Sequence, residues 1–128
     1  MTLATFFATG LLGLAGAAGA LARYLLGRLI SQRARGIFPW ATLIINVSGA
    51  FLIGLLFGLT SQKVINAQIQ LIAATGFLGG YTTFSTMSWE GVQLIRSGDT
   101  RLSALYLAGN FVPGLLAAAL GLALGGLF

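Results

Sequence analysis

The sequence predicts an all-α membrane protein: four transmembrane helices in a single transmembrane domain, residues 1–128, with the third helix broken near Gly79–Thr82. Three observations predict it. The chain is 57% hydrophobic and only 7% charged, whereas a soluble domain carries about 25% charged residues. Its polar residues gather in three short stretches, leaving four apolar runs close to the roughly 20 residues that a membrane span needs. Within the third run, Gly79-Gly80 is followed at once by Tyr81, Thr82, Thr83, Ser85 and Thr86. Irregular backbone survives at bilayer depth only where protein buries it or a watery cavity faces it. That break is the strongest pointer to function in the chain.

The residue inventory excludes most catalysis. There is no cysteine and no histidine, hence no disulfide framework, no thiolate and none of the commonest general base. The only carboxylates are Glu90 and Asp99. Hydrolytic or metal-dependent chemistry has almost nothing to work with, and the chain is not expected to be an enzyme. The net charge of +5 raises the question of a nucleic-acid partner. The cations, however, sit at span ends, where Lys and Arg reach lipid headgroups. The expected partner is the bilayer, not nucleic acid, and the expected location is the inner (plasma) membrane, crossed several times.

The first span covers about 3–28. Gly10, Gly13, Gly16 and Gly19 alternate with Ala15, Ala17, Ala18 and Ala20, a spacing that lets a second helix backbone approach closely. Its role is read as packing. Ala17-Ala18-Gly19-Ala20 has the look of a leader cleavage region, but no Lys or Arg precedes the apolar run and three spans follow, so a retained helix is expected. After the loop Ser31–Gly36, Pro39 and Trp40 open the second span, about 39–60, with Pro in the first turn and Trp at headgroup depth. Lys63 and Asn66 mark a short turn. The third span runs over about 67–95 as two half-helices. Arg96 to Arg101 form the last polar loop, and the fourth span, about 102–128, contains Pro113.

Polar side chains recur along these spans at helical spacing. Thr42, Asn46 and Gly49 fall on one stripe of the second span, and Tyr106 and Asn110 on one stripe of the fourth. After the break, Thr82 and Thr86 share one stripe, and Thr83, Met87 and Glu90 another. Any one of these could be interhelical glue, worth about 0.6 kcal/mol. Three such stripes beside a broken helix point instead to a polar pathway. Its groups are donors, namely hydroxyls, carboxamides and a phenol, and the ring edge of Phe84 is also electropositive. Arg23 adds a fixed positive charge near the end of the first span. This inventory favours a small anion without saying which. Glu90, the one carboxylate within a span, is a functional candidate; an ion pair with Arg23 or Arg96 is the preferred reading, and a proton-coupling group the alternative.

Gly76-Phe77-Leu78-Gly79-Gly80-Tyr81-Thr82-Thr83-Phe84-Ser85-Thr86, followed by Glu90, resembles the signature of the Fluc/CrcB fluoride channels. So do Gly16–Arg23 and Pro39-Trp40-Ala41-Thr42 leading to Asn46. The similarity covers essentially the whole chain. It implies an antiparallel, dual-topology homodimer with two pores that let fluoride leave the cell passively. It also implies a structural Na⁺ at the dimer centre, held by the backbone carbonyls of Gly79 and Thr82 from both chains. The family's paired pore phenylalanines correspond to Phe84 and position 87, its second-span Asn to Asn46, its fourth-span Tyr to Tyr106 and its vestibule Arg to Arg23. Position 87 is Met here, a thioether without an aromatic edge but polarizable and of similar length. Position 110 is Asn, where some relatives carry Ser.

Thr42, Asn46, Thr83, Thr86, Tyr106 and Asn110 are therefore the expected donors of a fluoride pathway, with Phe84 and Met87 at its narrow part and Arg23 at its mouth. The loop charges pull the other way on topology. Arg28, Arg33, Arg35, Arg96 and Arg101 lie at one end of the spans and only Lys63 at the other, a bias that favours one orientation. Two further readings exist. A small four-span proton-coupled antiporter would use Glu90, but such proteins usually place their carboxylate in the first span, which has none. A non-transporting subunit would use its glycine faces for packing alone.

Overall fold

The structure, a computed structural model, describes residues 1–126; the last two residues of the fourth predicted span lie outside it. The described residues form helices without strands. Three are long, apolar and uninterrupted: α1 (Leu3–Arg33), α2 (Trp40–Ser61) and α6 (Thr100–Gly126). The remaining crossing is assembled from pieces: α3 (Ala67–Gln70), a π-helical segment (Leu71–Leu78), α4 (Gly79–Tyr81) and α5 (Phe84–Arg96).

Side chains stop the fraying of most N-termini. Thr2, Asn66 and Thr83 each accept a hydrogen bond from the backbone N–H three residues on, opening α1, α3 and α5. Asp99 does the same for Leu102 in the first turn of α6, which accounts for one of the two carboxylates. Such caps satisfy amides that have no partner in the helix and contribute about 1 kcal/mol each. Pro39 takes the position just before α2, where its missing N–H costs nothing. Gly36 and Gly98 adopt positive φ in the two loops at the arginine-rich end.

The helices pack through glycine. On α1, a Cβ at Gly19 would overlap the Phe77 carbonyl, and a Cβ at Gly80 would overlap the Gly16 carbonyl. The N-terminal part of α1, by contrast, is exposed, and a side chain at Gly10 or Gly13 would meet nothing. The packing role expected for this run therefore belongs to Gly16 and Gly19. The α2–α6 crossing works the same way: a Cβ at Gly54 would strike the Ala118 carbonyl and one at Gly121 the Phe51 carbonyl. In lipid, where apolar surface gains nothing by leaving its solvent, this backbone proximity is the main source of helix association.

The predicted interruption is present, at the C-terminal edge of the predicted stretch. Gly79–Tyr81 stay helical, and the chain is extended at Thr82 (φ −80°, ψ 158°) and Thr83 (φ −148°, ψ 118°). Gly80 is there for close approach to α1 and not for flexibility. The π-helical turn before it carries no sequence signal, because an apolar run reads alike in either register.

Candidate functional site

The break is held open by Asn46 of α2. Its Oδ1 accepts from the Thr83 backbone N–H at 2.9 Å, and its Nδ2 donates to the Thr83 carbonyl at 3.0 Å. The same Nδ2 donates to Asn110 Oδ1 at 2.9 Å. A carboxamide is the one common side chain that can pair with a peptide group through both its donor and its acceptor. Asn46 supplies the acceptor that the Thr83 N–H loses at the break, and it adds a donor to the carbonyl of Thr83, the residue that caps α5. Asn110 in turn donates to the Tyr106 carbonyl at 2.9 Å, which leaves one of its two N–H bonds free. Thr83 Oγ1 caps α5 through the Thr86 N–H at 3.1 Å and donates to Thr86 Oγ1 at 3.0 Å, which leaves the Thr86 proton free.

Two cavities meet at Thr83. One, about 270 Å³, is bordered by Asn46, Asn110, Thr82, Thr83, Phe84 and Met87 and passes into Ala50, Ile53 and Phe111. The other, about 280 Å³, contains Arg23, Arg28, Thr42, Thr83, Thr86 and Glu90. Every side chain expected on the pathway borders one or the other, except Tyr106, which is wholly buried behind Glu90. Phe84 and Met87 border the same cavity from opposite situations. Phe84 is 72% exposed and Met87 only 4%, packed with Leu94 and Tyr106.

Glu90 forms no ion pair among the described residues, contrary to expectation. Its Oε1 accepts from the Thr42 hydroxyl and its Oε2 from the Tyr106 phenol, each at 2.8 Å. Arg23 reaches the break instead, its Nε donating to the Gly80 carbonyl at 3.1 Å. Two neutral hydroxyls from different helices thus hold a carboxylate that the sequence pairs with an arginine. Two further ties were not expected from the sequence: Ser103 donates to the Gly91 carbonyl at 2.7 Å, and the Ser48 and Tyr81 hydroxyls lie 3.0 Å apart. Ser103 does lie on the Tyr106–Asn110 stripe, and that periodicity could have marked it.

The break also frees backbone carbonyls. In a continuous helix the Gly79 carbonyl would accept from the Thr83 N–H and the Thr82 carbonyl from the Thr86 N–H. Here those amides go to Asn46 and to Thr83 Oγ1, so both carbonyls lack their helical donors. Gly79 lies on an exposed face, and the intervening Gly80 carbonyl is taken by Arg23. Among the described residues there is no cluster of acidic, His or Cys side chains. Uncharged oxygens at an unwound helix are the donor set that suits Na⁺, and the residues fit that ion.

A membrane bundle with a broken helix, a clip of carboxamides and two cavities that share Thr83 at the break and carry polar side chains defines a small-ion channel or transporter. Comparison with known proteins places it within that class. The family model described as CrcB-like protein, Camphor Resistance (CrcB), matches residues 10–122, and the chain belongs to this family. It is 47% identical over 117 residues to a protein of Moorella thermoacetica named fluoride-specific ion channel FluC 2, covering 91% of this chain and 95% of that one. It is 49% identical over 114 residues to the fluoride-specific ion channel FluC of a Hydrogenobaculum species, covering 88% and 92%. The corresponding Thermus thermophilus protein is 42% identical over 116 residues, covering 91% and 93%. The chain is a multi-pass membrane protein.

Proposed function

We propose that the protein is a passive fluoride channel of the plasma membrane, not an enzyme, working as one transmembrane domain that conducts as a homodimer. The observation that carries this reading is that two cavities bordered in part by hydroxyls, carboxamides and arginines share Thr83 at the break; the relatives' names supply the ion. Fluoride enters acid-exposed cells as neutral HF and is trapped inside as the anion, and a pore for the anion lets the negative-inside potential expel it. To leave water the ion needs several short donors in place of its hydration shell. The donors with uncommitted protons are the Thr86 hydroxyl, the second N–H of Asn110, the first amides of α5 and the guanidinium of Arg23. The N-terminus of α5 adds its positive dipole end, and Phe84 its ring edge. Asn46 holds the track in place. Nothing supports the proton-coupled antiporter: the first span has no carboxylate, and Glu90 is bound to hydroxyls.

The test is fluoride efflux from liposomes holding the purified chain, with voltage clamped by a K⁺ ionophore and chloride as control. Selective fluoride flux is expected; flux no greater than in empty liposomes would overturn the reading.

One chain leaves the Phe84 cavity open on a side where Gly79, Phe84, Ser85 and Trp89 are exposed. A second copy in antiparallel orientation would close it and bring two pairs of Gly79 and Thr82 carbonyls around one Na⁺, which would neutralise their convergent dipoles. Gly79 tolerates a probe, since a Cβ there meets only the Ala74 carbonyl at 3.9 Å. Gly79→Cys is expected to crosslink between copies, and a cysteine in the 28–36 loop to be labelled from both sides of the membrane. Labelling from one side alone would refute dual topology and favour the orientation that the loop arginines predict.

A further inference from the structure

In the cavity that Asn46, Asn110 and Phe84 border, α5 offers an anion only one ring. Phe84 is 72% exposed there. The resemblance expects a second ring at position 87, but Met87 cannot take its part. A thioether sulfur accepts and does not donate, so its lone pairs oppose an anion at close range. Although Met87 borders the cavity, it is only 4% exposed and packs with Leu94 and Tyr106. Ala50 and Ile53, the aliphatic part of the wall, offer an ion neither donor nor dipole.

The wall contributed by α6 carries the missing group. Phe111 follows Asn110 directly, and both border this cavity. Tyr106 and Phe111 are the two aromatic residues of α6. Tyr106 is wholly buried with its phenol on Glu90, whereas Phe111 is 53% exposed and belongs to neither buried cluster of the bundle. A phenyl ring has a positive edge. Aliphatic surroundings such as Ala50 and Ile53 screen its field on an ion far less than water would. Residues 110 and 111 thus set an uncommitted carboxamide N–H and a ring beside each other, on a different helix from Phe84.

We propose that Phe111 is the second ring of the fluoride pathway: with Phe84 it presents an electropositive edge to the ion, next to the free Asn110 N–H. Met87 is then a buried packing residue, and the ion contact expected from it is made from α6. The inference rests on the channel reading above for the identity of the ion.

Fluoride efflux from liposomes is compared for the parent, Phe111→Leu, Met87→Leu and a chain carrying pentafluorophenylalanine at position 111, with chloride as control. Leu keeps apolar bulk and removes the ring. Pentafluorophenylalanine keeps the ring and its apolar character but inverts the sign of its edge. Phe111→Leu is expected to lower fluoride flux by about tenfold, the weight of one desolvated contact between an ion and a ring quadrupole, and Met87→Leu to lower it less. The fluorinated ring should lower flux at least as far as Leu does. A ring that only packs would keep its role when fluorinated, so parent-like flux with pentafluorophenylalanine overturns the proposal. A loss in Met87→Leu equal to or greater than that in Phe111→Leu also overturns it. If Phe111→Leu fails to fold, the fluorinated chain, which conserves the ring, decides alone. A readout independent of conduction uses para-fluorophenylalanine at position 111, whose remaining C–H edge keeps its sign. In the solubilised chain its fluorine NMR resonance is expected to shift on adding fluoride and not on adding chloride; an unmoved resonance overturns the proposal. If the parent carries no fluoride while that resonance shifts, the channel reading fails and the ring still borders an anion site.

Discussion

Asn46→Asp is expected to reduce fluoride flux by at least a hundredfold while leaving the helices folded. The substitution is nearly isosteric, but it replaces Nδ2, a donor to both the Thr83 carbonyl and Asn110 Oδ1, with an oxygen. Two acceptors then face a third. Each partner left unsatisfied in a part-buried site costs about 1–3 kcal/mol, and a factor of ten in rate needs only about 1.4 kcal/mol. The ionised form also places a negative charge where the two cavities meet, repelling an anion 4 Å away by about 4 kcal/mol at an effective dielectric constant near 20. Efflux from liposomes measures the loss, and circular dichroism of the same preparation checks the helices. Flux equal to the parent's would remove Asn46 from the pathway and from its support.

The other large effect is expected at the α2–α6 crossing. Gly54→Leu puts a side chain where the Ala118 backbone lies. Overpacking of a close contact costs about 1–3 kcal/mol, and here the obstacle is backbone, which cannot rotate away. The two helices must separate, and two turns along the same crossing lies the Asn46–Asn110 bond. Loss of monodisperse protein in size-exclusion chromatography and a lowered melting midpoint in detergent are the expected results. Gly10→Ala is the control: a Cβ there meets nothing within 4 Å, so an unchanged melting midpoint is expected. If both variants behave alike, glycine packing is not what holds α2 and α6 together.

These two positions show how unevenly a sequence discloses its roles. Asn46 stood out because a carboxamide in the middle of an apolar span has few reasons to be there. Its helical spacing from Thr42 placed it on an inward stripe, and the stripe is real. Its partners could not be read. Spacing gives the face of one helix but not the height at which another helix crosses it, and Thr83 lies 37 residues away in the chain. Gly54 shows the converse. The α1 glycines looked like the packing face because they are dense, yet Gly10 and Gly13 touch nothing, while Gly54 and Gly121, farther apart and less conspicuous, sit against backbone. Density of small residues reports that close approach is permitted and not that it occurs.

Glu90 is the sharpest case. Opposite charges toward the same face make an ion pair the natural reading, and Arg23 and Glu90 do border one cavity. But a guanidinium can satisfy itself on a carbonyl exposed by a broken helix, and Arg23 does so at Gly80. The carboxylate is then held by the Thr42 and Tyr106 hydroxyls, which sit 48 and 16 residues away.

The sequence by itself determined the fold class, the number of crossings, the broken third span and the polar side chains that come to border the two cavities. All of these follow from local composition and from the period of a helix, which a linear chain carries in full. Tertiary structure alone decided that the break falls at Thr82–Thr83, that Gly80 serves packing, that Asn46 clips the opened peptide and that Glu90 rests on two hydroxyls. Each of these depends on which groups at distant positions come within about 3 Å of one another, the reach of a hydrogen bond, and helix crossing heights fix that where periodicity does not.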